Sequence, residues 1–292
     1  MVSHWIDRLP SKLVRESLRL MRVDRPIGTW LVMWPSLWAV VAAKPGFPDL
    51  YLLAIFGLGA FIMRSAGCVI NDIADRNFDP HVARTKDRPL AAGRISLNNA
   101  FWLLFLLLVL ALMLALQLNI VAIKLCFGGA FLALTYPFTK RYIQLPQFYL
   151  GAAFGWGVII AWAAATETVS IEAWLLFAAT LTWAAAYDTI YAMMDRDDDI
   201  KIGIKSTAIL FGRFDLVAVG TLYLITLLLL GWAGYRLELI FWFYLSLVMA
   251  FMQMAWQIWT VRGYPQEKFL SVFLSNKWVG IIIFCGFLLG GM

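Results

Sequence analysis

Apolar residues run along this chain in long blocks, interrupted by short polar breaks. A membrane-spanning helix needs about 20 mainly apolar residues. Nine blocks qualify: 26–44, 51–73, 98–116, 119–137, 147–165, 171–194, 216–234, 238–260 and 271–291. Between them lie Lys44-Pro45-Gly46-Phe47-Pro48, loop 74–97, Gln117 to Asn119, Lys140 to Pro146, Thr166 to Ser170, loop 195–215, Gly234-Tyr235-Arg236 and Arg262 to Lys268. Residues 1–25 differ: Arg8, Lys12, Arg15, Arg19, Arg22 and Arg25 alternate with apolar positions. That pattern predicts a short amphipathic helix on the membrane surface, capped by Ser11, with Pro26 opening the first span. No cleavable signal segment is read there. The expectation is an all-α integral membrane protein: a cytoplasmic N-terminal segment, 1–25, and one transmembrane domain, 26–291.

Composition agrees. The 292 residues are 62% hydrophobic and 14% charged, where soluble domains carry about a quarter charged residues. Cys68, Cys126 and Cys285 lie inside apolar blocks, which argues against a disulfide framework or a zinc site. The net charge of +6 would suit a nucleic-acid partner if it were clustered as a binding face. Its distribution instead follows topology. With the N-terminus in the cytoplasm, nineteen of the 24 basic residues fall on cytoplasmic segments, and Lys44 and Arg236 lie opposite. The positive-inside rule therefore predicts nine crossings with the N-terminus inside, and no nucleic-acid partner.

Two acidic stretches stand out against this apolar background. Asn71-Asp72-Ile73-Ala74-Asp75-Arg76-Asn77-Phe78-Asp79 ends the second block. Tyr191-Ala192-Met193-Met194-Asp195-Arg196-Asp197-Asp198-Asp199 ends the sixth. Eight of the 18 acidic residues lie at 72–79 and 188–199. If each helix continues, Asp75 and Asp79 share a face, as do Asp195 and Asp199, with Asn71 or Tyr191 one turn before. The basic loops that follow also correspond: Arg84-Thr85-Lys86-Asp87-Arg88-Pro89-Leu90 and Lys201-Ile202-Gly203-Ile204-Lys205-Ser206-Thr207. This predicts two related halves facing one central cavity.

Acids near a bilayer are costly and usually functional, although single Asp–Arg pairs could merely stabilise loops. Oxygen donors without His or Cys favour Mg²⁺ or Ca²⁺. The interleaved Arg76, Arg84, Arg88, Lys140, Arg141, Arg196 and Lys205 suit a diphosphate, whose departing charge metal and guanidinium groups would bind. An isoprenoid diphosphate fits: a polar head at the rim and an apolar tail among the spans. A secondary transporter would also use paired halves and intramembrane acids, but near the midplane rather than at one face.

Asn71-Asp72-x-x-Asp75-Arg76-x-x-Asp79, then Arg84-Thr85-x-x-Arg88-Pro89-Leu90-x-x-Gly93, resembles the first signature of the UbiA-type intramembrane aromatic prenyltransferases. Asp188-x-x-Tyr191-Ala192-x-x-Asp195-x-x-x-Asp199 resembles the second. The stretches Arg22 to Trp30, Arg64 to Cys68, Tyr136 to Arg141 and Lys201 to Thr207 are similar to the members that act on 4-hydroxybenzoate. The resemblance implies nine helices around a cavity and Mg²⁺ as cofactor. It implies a polyprenyl diphosphate donor and prenylation of 4-hydroxybenzoate ortho to its hydroxyl, in ubiquinone biosynthesis at the bacterial inner membrane. It assigns Asn71, Asp75 and Asp79 to one Mg²⁺–diphosphate role and Asp195 and Asp199 to another. Tyr191 and Asp188 become orienting or substrate-binding groups. Lys140 and Arg141 look like diphosphate binders, and Arg64, seven residues before Asn71, falls to the acceptor's carboxylate. A sister acceptor, naphthoate or haem, is the nearest alternative.

Overall fold

The computed structural model describes all residues except 1–4, 78, 82–84, 140–141, 204 and 264, and all side chains of these except those of His81, Pro137, Phe138, Asp198, Asp199 and Ile202. Among the described residues eleven α-helices follow one another: α1 (Lys12–Leu20), α2 (Ile27–Ala43), α3 (Leu50–Asp75), α4 (Leu97–Ala115), α5 (Ile120–Thr139), α6 (Pro146–Thr166), α7 (Ile171–Ile202), α8 (Thr207–Phe211), α9 (Asp215–Arg236), α10 (Phe241–Val261) and α11 (Gln266–Gly290). There is no strand among the described residues. The fold is all-α, and every apolar block of the sequence lies on a helix. Leu50–Asp75, Leu97–Ala115, Pro146–Thr166, Thr207–Arg236, Phe241–Val261 and Gln266–Gly290 are each long and apolar enough to cross a membrane. Ile27–Ala43 and Ile120–Tyr136 are shorter apolar helices. The chain is a multi-pass membrane protein.

Local chemistry explains the helix ends. Ser11 accepts a hydrogen bond from the Val14 N–H and starts α1, as expected. Ser96 and Ser206 cap α4 and α8 in the same way. Pro146 begins α6, where its missing N–H costs nothing.

The chain divides into two compact units, which are not successive halves of the sequence: residues 1–29 with 57–117, and residues 30–56 with 118–292. The core of the first gathers Leu20, Ile62, Ala66, Val69, Ile95, Ala100 and Leu107. Leu20 belongs to α1, so this helix is more than a surface float. It exposes Leu13 and Val14 while burying Glu16 and Leu20. Glu16 accepts from Arg19 (2.6 Å) and from Arg94 (2.9 Å), which offsets the cost of its burial. In the second unit α7 packs against α6 and α9, and α10 against α11. Small residues let these helices approach closely. A Cβ on Gly151 would sit 2.6 Å from the Leu181 carbonyl oxygen. Buried polar side chains pair between these helices: Tyr223 donates to Gln257 (2.6 Å), Gln257 to Ser275 (2.8 Å), and the Trp183 indole to Asn276 (3.1 Å).

The two acidic stretches end differently. α7 does not stop near 194 but runs through the second stretch to Ile202, so Tyr191, Asp195 and Asp199 follow at one-turn intervals on one helix. α3 stops at Asp75, and Asp79 opens a short 3₁₀ turn, Asp79–His81. The expected shared helical face of Asp75 and Asp79 is therefore not formed. Pro80 supplies the reason: its ring would collide with the carbonyl four residues back, and it has no N–H to donate. The second stretch has Ile200 at the matching place and keeps its helix.

Candidate active site

In the first unit Arg64, Cys68, Asn71 and Asp75 repeat along one side of α3 at helical spacing. Asp72, Asp75 and Asp79 are 1%, 5% and 6% exposed. Burying carboxylates at this density requires cations and hydrogen bonds, and two guanidiniums arrive from distant parts of the chain. Arg22 grips Asp72 with one nitrogen on both carboxylate oxygens, at 2.9 and 3.0 Å. Arg88 donates to Asp79 at 2.9 Å and stands 3.2 Å from Asp72. Thr85 donates to the Asp79 carbonyl at 3.0 Å, which ties the turn to the loop. Burial would lower the Arg88 pKa; the carboxylates of Asp72 and Asp79, and less strongly Asp75, outweigh it and hold the pKa above its ordinary value. Arg76 is exposed and directs a nitrogen back to the Ile73 carbonyl at 3.4 Å.

Arg64 is half-buried. One guanidinium nitrogen lies 2.6 Å from the Cys68 sulfur, and its buried Nε has no hydrogen-bond partner. Gly28 makes room for it. A Cβ there would lie 2.1 Å from Nε and 2.8 Å from the central guanidinium carbon.

In the second unit α7 carries Asp188, Tyr191 and Asp195, all half-buried. The Tyr191 ring packs on Phe273 of α11 with centroids 4.7 Å apart. Arg196 forms an ion pair with Asp215, which is fully buried at the start of α9. Lys205 is exposed and donates to the Tyr142 carbonyl at 3.1 Å. Behind it, Thr207 shares a 2.6 Å hydrogen bond with Thr189 of α7 and donates its backbone N–H to the Gln147 Oε1 (3.0 Å). The loop after the second acidic stretch is thus fastened to both α6 and α7.

The family model of the UbiA prenyltransferase family matches residues 32–288. The chain belongs to the UbiA prenyltransferase family. It is an enzyme of prenyl transfer held in the membrane by several apolar helices. Among curated relatives, the 4-hydroxybenzoate octaprenyltransferase of Chromohalobacter salexigens is 50% identical over 279 residues, 95% of this chain and 94% of the relative. The protein of that name from Nitrosococcus oceani is 52% identical over 268 residues, 92% and 94% of the two chains. Among solved structures, a UbiA homologue from Aeropyrum pernix K1 matches with a TM-score of 0.76 at 27% identity, covering 89% of this chain and 96% of that one. A UbiA homologue from Archaeoglobus fulgidus, solved bound to GPP and Mg²⁺, shares the fold with a TM-score of 0.64 at 18% identity, covering 92% and 99%.

For a UbiA-family enzyme the donor set is informative. No group of three or more His, Cys, Asp or Glu residues that could hold a metal occurs among the described residues. Mg²⁺ needs no such cage: it binds through one or two carboxylates and keeps water or phosphate oxygens for the rest of its shell. The all-oxygen set of Asn71, Asp75 and Asp79 in one unit, and of Asp195 in the other, fits that demand. Lys140, Arg141, Arg84 and the Asp199 side chain lie outside the described residues.

Of the expected site residues, the structure sets Asp79 against Arg88, carries Asn71 and Asp75 one turn apart on α3, and lines up Asp188, Tyr191 and Asp195 on α7. It directs Arg196 to Asp215 and Lys205 to a backbone carbonyl. Sequence reasoning did not place Arg22 in the site. Nothing local marks it, because its partner Asp72 is 50 residues away.

Proposed function

We propose that this enzyme transfers a polyprenyl group from polyprenyl diphosphate to the ring carbon ortho to the hydroxyl of 4-hydroxybenzoate, in ubiquinone biosynthesis. The observation that carries this reading is the identity of about half to relatives named 4-hydroxybenzoate octaprenyltransferase, along more than nine-tenths of both chains. The family match over 32–288 supports taking 26–291 as one prenyltransferase domain preceded by the segment 1–25.

Asn71, Asp75 and Asp79 would hold one Mg²⁺, and Asp195 and Asp199 a second; the acidic, all-oxygen character of both stretches supports this. Bound there, the metal neutralises charge that develops on the departing diphosphate. Arg76, Arg84, Arg88, Lys140, Arg141, Arg196 and Lys205 are assigned to the diphosphate oxygens, and the hydrogen bond of Arg88 to Asp79 supports its place among them. Arg196 and Lys205 would then exchange their present partners for phosphate oxygens. Asp188 and Tyr191 orient substrate beside the second stretch, where the packing of Tyr191 on Phe273 holds its ring. Arg64 takes the carboxylate of the acceptor, and its unsatisfied Nε supports that role. Apolar walls exclude water while the allylic C–O bond ionises, so the carbocation survives until the phenol ring attacks it. The ring then releases a proton and regains aromaticity.

The asymmetry of basic residues supports nine crossings of the bacterial inner membrane, with the N-terminus and both acidic stretches cytoplasmic. Mass spectrometry of products tests the reaction. Membranes containing the enzyme, 4-hydroxybenzoate and a polyprenyl diphosphate should yield the ortho-prenylated acid only when Mg²⁺ is present. Product from a naphthoate acceptor, with none from 4-hydroxybenzoate, would replace the acceptor assignment.

A further inference from the structure

The end of α1 has an unusual occupant. The Arg22 N–H bonds to the Arg19 carbonyl at 3.0 Å, and the Val23 N–H to the Leu18 carbonyl at 3.0 Å. This pair of bonds closes a helix through a residue in the left-handed conformation, a place that glycine usually fills. Arg22 adopts it with φ 59°. An arginine there strains the backbone. Its side chain shows what the residue contributes in return. One nitrogen caps the Arg19 carbonyl at 3.0 Å, and the other grips both oxygens of Asp72, which is 1% exposed.

Asp72 lies within reach of two guanidiniums, those of Arg22 and Arg88. Arg88 is also the donor to Asp79. One buried carboxylate therefore competes with Asp79 for Arg88, and Arg22 relieves the competition by supplying Asp72 with its own cation. A second tie acts on the same loop. Glu16 of α1 accepts from Arg94, whose other nitrogen bonds the Asp87 carbonyl at 2.6 Å, next to Arg88. All these groups belong to one compact unit.

We propose that Arg22 is a positioning residue for the first acidic stretch: by satisfying Asp72 it leaves Arg88 on Asp79, so α1 sets the geometry of the diphosphate end of the reaction. The inference rests on the reading of Asp75 and Asp79 as the Mg²⁺–diphosphate site. Without Arg22, Arg88 is drawn toward Asp72, and Asp79 loses its donor.

Glycine relieves the backbone strain, so Arg22→Gly tests the side chain with little cost to the helix end. The full-length enzyme, in membranes, would be assayed as wild type, Arg22→Gly, Asp72→Asn and Arg22→Gly/Asp72→Asn, with thermal unfolding followed in parallel. Arg22→Gly should raise the KM for polyprenyl diphosphate about tenfold, together with the Mg²⁺ needed for half-activation. The KM for 4-hydroxybenzoate should stay unchanged. Removing the competing charge in the double variant should reverse at least half of that loss on a logarithmic scale. Wild-type kinetics in Arg22→Gly would overturn the proposal. So would an equal rise in both KM values accompanied by a lower unfolding temperature, or a double variant no better than Arg22→Gly. Full activity of Asp75→Ala would instead sink the underlying metal-site reading, whatever Arg22→Gly does.

Discussion

Asp75 is almost wholly buried one turn beyond Asn71, and Asp195 stands one turn beyond Tyr191. If these carboxylates hold Mg²⁺, Asp75→Ala and Asp195→Ala should each lower turnover at least about a thousandfold, the scale of losing a main electrostatic contributor at a reacting centre. Both should leave the protein folded; product formation above a few per cent in either would reject the metal role. Gly28 supports a subtler test. The atoms that a Cβ would meet there are the movable end of the Arg64 side chain, not backbone. Gly28→Ala should therefore displace the guanidinium without unfolding the helix. Steady-state kinetics should show the KM for 4-hydroxybenzoate raised about tenfold, the worth of one charge-assisted hydrogen bond, with the KM for the diphosphate unchanged. Sequence reading reached Arg64 by its spacing from Asn71. It could not reach Gly28, because 35 intervening residues separate a cavity-sized gap from the side chain that fills it.

Helices were legible wherever an apolar block, a serine cap or a proline marked them. Ser11 and Pro146 stand where helix chemistry puts them. The stop of α3 at Asp75 followed from Pro80, a local cause that the repeated Asp-Arg-x-x-Asp pattern concealed. The role of α1 was not legible, since an amphipathic segment can face lipid, a protein core or both. Leu20 and Glu16 decide it by their burial. Close packing between helices yields another measurable consequence. A methyl group on Gly151 would sit 2.6 Å from a backbone oxygen of α7, which cannot swing aside as a side chain can. Gly151→Ala should lower stability by about 1–3 kcal/mol, the usual cost of overpacking. Thermal unfolding in detergent should fall, while Gly59→Ala, which meets nothing within 4 Å, should leave it unchanged.

At the scale of the whole molecule, if Mg²⁺ is the cofactor the reaction should be lost when divalent cations are removed. Chelation of washed membranes should abolish product formation and added Mg²⁺ should restore it; full activity after exhaustive chelation would refute the cofactor assignment. By itself the sequence determined the membrane class, the helical blocks and the two acidic stretches. Those properties depend on composition and on spacing within one or two helical turns, which a lipid environment reads directly. Only the tertiary structure decided that Asp79 leaves the helix face of Asp75, that Arg22 holds Asp72, and that Arg196 meets Asp215. The last two pairings join residues 50 and 19 positions apart. An ion pair in a buried setting forms where packing brings two charges out of water together, and residue order along the chain does not encode that meeting.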